Sequence, residues 1–202
     1  MKAKFLLGGA GLLVLLLIII AGTQLFAQPY TFRGSLIDPP MPSTDFMLED
    51  QHGADFRLSA QQGKVVVMAF GYTSCPDVCP TTLADFKRVQ MLLGDQAEQV
   101  QFVFITVDPE RDTPERLDQY MTAFDPTFRG LYGDMRELEH VWESYGVYHA
   151  KQEVGSAAGY LVDHTSRIYV VDVQGNLRLT FPFGATTEDM AQDIRHLAEE
   201  AS

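Results

Sequence analysis

Cys75 and Cys79 are the only cysteines among the 202 residues, and they stand four apart in Gly71-Tyr72-Thr73-Ser74-Cys75-Pro76-Asp77-Val78-Cys79-Pro80. Two cysteines cannot frame a disulfide-rich scaffold; they can make one disulfide, one redox pair or one metal site. Along a turn this spacing can bring the Cα atoms within the roughly 4.4–6.8 Å that a disulfide requires. It equally lets both sulfurs converge on one ion. A purely structural disulfide would close so short a loop that it adds little stability. Redox catalysis and metal binding are the two chemistries to separate.

The flanking elements place this loop. Val65–Phe70 is a continuous apolar run, the pattern of a strand buried on both faces. Pro80–Leu93 carries Leu83, Phe86, Val89, Met91, Leu92 and Leu93 in a helical pattern. In open α/β sheets, sites collect beyond the carboxyl ends of strands, where this loop sits. Pro80 suits the first helical position, which makes Cys79 the expected cap. Both sulfurs then lie near a helix N-terminus, whose partial positive charge favours thiolate. Asp77 would oppose this if it pointed inward; it is expected to face solvent.

The remaining elements follow in order. Asp45–Leu48 and Asp55–Leu58 read as a hairpin, and Val100–Val107 as a second buried strand. Thr113 caps a helix with Pro114 in its first turn, and Asp134 with Glu137 resembles a capping box for a helix running to Tyr145. Tyr148–Val154 and Tyr160–Val162 can pair around Gly155, and Ile168–Val173 with Leu177–Phe181 around Gln174-Gly175-Asn176. Thr186 with Asp189 opens a last helix ending near Ala198. This order is that of a thioredoxin-like α/β fold, a central mixed sheet flanked by helices with extra hairpins.

Thioredoxin-like catalysts use C-x-x-C and place a cis proline before a later strand facing the cysteines. This chain has C-x-x-x-C, and Leu161-Val162-Asp163-His164-Thr165-Ser166 holds no proline but offers a histidine there. Two soft thiolates and an imidazole suit cuprous copper, and a Cys2His set is also open to zinc. Asp163 could orient the His164 ring, although neighbours in an extended segment point to opposite sides, which favours a surface role. Asp108, Glu110, Arg111 and Asp112 read as a docking rim or a solvated charged loop. His52, His140, His149 and His196 lack ligand spacing and read as structural, and Met68 as core. No G-x-G-x-x-G, P-loop or Ser/His/Asp arrangement is present.

The segments FGYTSCPDVCPTTL, VDPERDTPE and DHTSRIYVVDVQGN together closely resemble the Sco (SenC/PrrC) family of membrane-anchored copper proteins. The resemblance covers most of residues 43–198. It implies a thioredoxin-like domain that binds one copper, as Cu(I) or Cu(II), through Cys75, Cys79 and His164. The implied role is a metallochaperone, more a metal carrier than an enzyme, serving the copper A site of cytochrome c oxidase subunit II. Other copper chaperones or thioredoxin-like reductants are further implied partners. The alternative is a membrane-tethered thiol-disulfide oxidoreductase that reduces the subunit II cysteines, or a redox sensor; a peroxide-reducing thiol enzyme is a third reading.

The N-terminus sets the expected location. Lys2 and Lys4 precede Phe5–Ala27, 23 residues without a charge. At about 1.5 Å per residue this helix would reach roughly 35 Å, enough to cross a hydrocarbon core of about 30 Å. Cleaved signal peptides have apolar regions of about 7–15 residues. Residues 1–27 are therefore expected to be an uncleaved anchor, with the lysines cytoplasmic and the rest periplasmic. Residues 28–42, with Pro29, Pro39, Pro40 and Pro42, read as an extended tether, and 43–202 as the domain. Acidic residues number 27 against 15 basic, a formal charge of −12. A chain this acidic offers no footprint for a phosphate backbone, so nucleic acid is excluded as a partner.

Overall fold

The computed structural model describes residues 30–156 and 159–200. From Phe32 onward the chain forms one compact unit. The expected anchor Phe5–Ala27 lies outside the described residues, and among the described residues no helix is long and apolar enough to cross a membrane.

In chain order the strands are β1 (Ser35–Pro42), β2 (Met47–Asp50), β3 (Asp55–Arg57), β4 (Val65–Gly71), β5 (Val100–Thr106), β6 (Arg129–Tyr132), β7 (His149–Ser156), β8 (Gly159–His164), β9 (Ile168–Val171) and β10 (Asn176–Phe181). The helices are α1 (Val78–Leu93), α2 (Pro114–Phe124), α3 (Met135–Ser144) and α4 (Thr187–Glu199). Eight strands form one mixed sheet in the order β1-β10-β9-β4-β5-β6-β2-β3, and β7 pairs with β8 as a separate hairpin.

All seven residues of β4 are buried, which is why the strand reads as an unbroken apolar run. It pairs in parallel with β5, Val65 opposite Val100 through Gly71 opposite Thr106. Both strands therefore end together, at the edge where the cysteine loop begins. α1 buries Leu83, Phe86, Val89 and Leu93 and packs beside α4. Trp142 of α3 is buried and its indole N–H donates to the Thr106 carbonyl at 3.1 Å, tying that helix to the end of β5.

The local helix signals hold. The Thr113 hydroxyl accepts the Arg116 amide, a cap typically worth about 1 kcal/mol. Asp134 and Glu137 form a reciprocal capping box at 2.9 Å each, and Thr186 caps α4 through the Asp189 amide.

Three placements differ from the sequence reading. Ser35–Pro42, within the expected tether, forms β1 on the sheet edge beside β10, with an irregular register between Leu36 and Met41. Prolines are tolerated there because an edge strand leaves one side of its backbone unpaired. β6 has only four residues and carried no periodic signal. Helix α1 starts at Val78 with Asp77 in the cap position, so Cys79 sits inside the first turn instead of capping it.

Candidate metal centre

β4 delivers the chain to the site, and a buried carboxylate sets the turn that follows. Asp112 is 2% exposed and accepts the Thr73 amide at 3.1 Å and the Thr73 and Thr106 hydroxyls at 2.6 and 2.7 Å. Burial pushes its carboxyl above the usual range, and these donors counter that cost. Arg116 donates to the Ser74 hydroxyl at 3.0 Å, and the Cys75 amide to the Tyr72 carbonyl at 3.2 Å. Cys75 is half-buried and Cys79 fully buried; both are free thiols.

The two sulfurs interact directly. The Cys75 sulfur accepts the Cys79 amide at 3.4 Å, along with the Asp77 amide of the helix start. The Cys75 thiol is lowered to about 5, above all because the Cys79 thiol donates to its thiolate, with those amides adding to the effect. The Cys79 thiol moves up, because it supplies that hydrogen bond, is buried, and faces the Cys75 thiolate. The helix-start reading therefore holds for one sulfur only. The opposed shifts favour thiolate on Cys75 and retention of the proton on Cys79.

His164 arrives from the opposite side as the last residue of β8, in the strand itself and not in a loop before one. Its Nε2 lies 3.5 Å from the Cys79 sulfur and its Nδ1 3.0 Å from the Val162 carbonyl. A carbonyl only accepts, so Nδ1 donates to it, and the neutral tautomer with this bond turns the Nε2 lone pair toward the Cys79 sulfur. Backbone thus orients the ring, a task that sequence offered to Asp163. The Asp163 and Asp77 side chains are both exposed and line the same groove.

That groove, about 220 Å³, is lined by Cys75, Tyr72, Asp77, Asp163 and His164 among others. Cys79 lies beneath it, beside a hollow of about 10 Å³. A larger depression of about 300 Å³ lies between Lys64, Gln90 and Thr127, with no cysteine or histidine in its lining. Among the described residues no three His, Cys, Asp or Glu side chains are already gathered as a finished metal site. Cys79 nevertheless touches both of the others, through its amide to the Cys75 sulfur and its own sulfur to His164, and Cys75 and His164 line one groove.

The other histidines stay apart from this centre. His52 faces Asp118 at 3.6 Å, and the His196 ring meets Phe32 edge-on. His149 pairs with His164 in the β7–β8 register, but its ring packs on Trp142 at 4.2 Å. Met68 is buried core. The supposed solvated loop is wrong in half its members, since Asp108 and Asp112 are 1% and 2% exposed. Tyr72 also went unnoticed in the sequence: its ring stands edge-on to His164 at 5.6 Å and its hydroxyl accepts the Val162 amide at 3.2 Å.

A mixed sheet with a cysteine pair at the end of a central parallel strand, faced by a histidine, defines a thioredoxin-like protein with a thiol-imidazole centre. The SCO1/SenC family model matches residues 37–199, and the chain belongs to that family. An SCO2-like protein of Rickettsia conorii is 33% identical over 153 residues, 75% of each chain. The structure of Bradyrhizobium japonicum ScoI with copper bound is similar at 39% identity and a TM-score of 0.71, covering 77% of this chain and 99% of that one. The solution structure of apo Sco1 from Thermus thermophilus is 40% identical with a TM-score of 0.69, covering 86% and 97%.

Proposed function

We propose that this chain binds one copper ion through Cys75, Cys79 and His164 and passes it to the copper A site of cytochrome c oxidase subunit II. The domain is held at the periplasmic face of the inner membrane by residues 1–27. The observation that carries the reading is the approach of His164 Nε2, lone pair inward, to the Cys75–Cys79 pair. The copper-bound ScoI relative supports the choice of cargo.

The donor set fits. Two thiolates and a neutral imidazole are ligands for copper in either common oxidation state, and soft sulfur favours Cu(I). Cys75 faces the groove as a thiolate ready to meet an incoming ion. Cys79 ligates by releasing its proton, and His164 by its existing lone pair. The open groove leaves the ion accessible to an acceptor.

The depressed Cys75 thiol also favours the second reading, a thiol-disulfide reductant for subunit II. In that step the Cys75 thiolate attacks a substrate disulfide, Cys79 resolves the mixed disulfide, and two electrons pass to the substrate. The experiment separating them adds copper to the full-length reduced chain in detergent and measures transfer to reduced subunit II. Stoichiometric transfer supports the first reading. Reduction of one subunit II disulfide per chain, becoming multiple turnover when an added dithiol re-reduces the Cys75–Cys79 disulfide, without metal transfer, supports the second.

A further inference from the structure

The histidine of the centre does not belong to the main sheet. β7 and β8 pair with each other as a separate hairpin, and an isolated two-stranded hairpin is marginal in water. Its docking, and with it the distance from His164 to the sulfurs, depends on side chains. Alternation puts Tyr160, Val162 and His164 on one face of β8. Val162 enters the core and its amide meets the Tyr72 hydroxyl.

Tyr160 is held most heavily. Its hydroxyl donates to Asp108 Oδ1 at 2.7 Å, and Arg111 Nε donates to the other oxygen of that fully buried carboxylate. The same guanidinium donates to the Tyr160 carbonyl at 2.9 Å and lies 3.7 Å from the centre of the Tyr160 ring. It also reaches the Tyr72 ring, 5.5 Å away. Charge-assisted hydrogen bonds around a buried carboxylate are the strong kind, and the stacked guanidinium fixes the ring plane. One acidic loop residue, one arginine and one tyrosine thus join the β5–α2 loop to β8. Lys151 adds a contact to Glu110 at 2.6 Å, but both are exposed and the pair contributes little.

We propose that Asp108, Arg111 and Tyr160 are positioning residues: their clamp seats the β7–β8 hairpin on the sheet and thereby sets His164 against Cys79. The proposal rests on the reading of Cys75, Cys79 and His164 as the copper site. Tyr160 is four residues before His164, about 13 Å along the strand at roughly 3.3 Å per residue. A small tilt at the clamp moves the imidazole by an ångström or so, and ligand geometry tolerates only about 0.5 Å. Copper(I) accepts two thiolates alone, whereas copper(II) needs the nitrogen. The clamp therefore acts on the two oxidation states unequally.

The test uses the full-length reduced chain in detergent. Removing Arg111 alone would leave Asp108 buried and unpaired, so the main variant is Asp108→Asn/Arg111→Gln, with Tyr160→Phe and Tyr160→Ala beside it. Without metal, the contact between the His164 and Tyr72 rings is read by nuclear Overhauser effects. With metal, copper(II) affinity, its nitrogen hyperfine coupling and copper(I) affinity are measured. In the folded double variant the ring contact should weaken and copper(II) binding fall about 10-fold or more, with copper(I) changing by less than about 3-fold. Tyr160→Phe, keeping the stacked ring, should retain most of what Tyr160→Ala loses. A folded double variant that keeps the ring contact and wild-type copper(II) affinity overturns the clamp, as does equal weakening of both oxidation states. If the double variant unfolds, Tyr160→Ala against Tyr160→Phe decides by the same criteria. His164→Ala is the control for the underlying reading. If it leaves copper(II) binding unchanged, the copper site assignment fails, and the metal-free ring contact alone then decides the clamp.

Discussion

Gly71 leaves room for the Cys79 sulfur: a Cβ at position 71 would stand 2.6 Å from that sulfur and 2.7 Å from the Phe104 ring. Both neighbours are buried, so neither can swing aside into solvent. The last residue of β4 is a glycine because the helix carrying Cys79 approaches the strand too closely for any side chain. Gly71→Ala should therefore overpack the site, lowering stability by about 1–3 kcal/mol. It should also displace the Cys79 sulfur and weaken copper(I) binding, although no ligand is removed. Thermal melts and a copper(I) competition titration would show both. A variant with wild-type melting and affinity would mean the sulfur has slack that the packing denies.

The thiol pair predicts a proton count. At pH 7 the Cys75 thiol, lowered to about 5, is already ionised, whereas the raised Cys79 thiol is not. Binding through both sulfurs should release about one proton per copper(I). Protons compete with the ion, so affinity falls as pH falls. Between about 5 and the raised Cys79 value the loss should be about tenfold per pH unit; below about 5 both sulfurs bind protons and it should steepen toward about a hundredfold. Calorimetry in buffers of different ionisation enthalpy measures the count. Release of two protons at pH 7 would show that Cys75 is an ordinary thiol.

Oxidation provides a second check on the same pair. Only thiolates ligate, so a Cys75–Cys79 disulfide should abolish copper binding and reduction should restore it. In the reduced chain, limited alkylation at pH 7 should modify Cys75 first, because it is the more ionised and the more exposed. Stoichiometric copper on the oxidised protein would exclude the cysteines as principal ligands.

Which parts were legible in the sequence follows from the range of the interactions. The caps at Thr113, Asp134 and Thr186 join a side chain to a backbone amide three residues on, so their signal is local and they were read correctly. β4 and β5 announced themselves as apolar runs because both faces are covered. β1 did not, because its prolines resemble a tether and only its pairing with distant β10 makes it a strand. The cysteines and His164 were singled out from residue chemistry and family motifs. Their supports were not: Asp112 reaches Thr73 across 39 residues, Arg111 reaches Tyr160 across 49, and Val162 reaches Tyr72 across 90. A charged loop reads as solvated until its buried partners are in place.

Replacing His164 separates metal carriage from thiol chemistry. His164→Ala leaves two thiolates, which copper(I) tolerates, so its binding should weaken only moderately. Copper(II) should lose far more, with altered thiolate charge-transfer bands and loss of the imidazole nitrogen coupling. The fold should persist, since the ring is partly exposed at the end of a strand and its bonds are to one carbonyl and one sulfur. In cells, a carrier missing its third ligand should fail in oxidase assembly even when an external thiol reductant is supplied. A reductant would instead be bypassed by that supplement, and the variant would assemble oxidase normally. Unchanged copper(II) spectra in the fully reduced variant would remove His164 from the ligand set and leave the 3.5 Å approach to Cys79 without a role in metal binding.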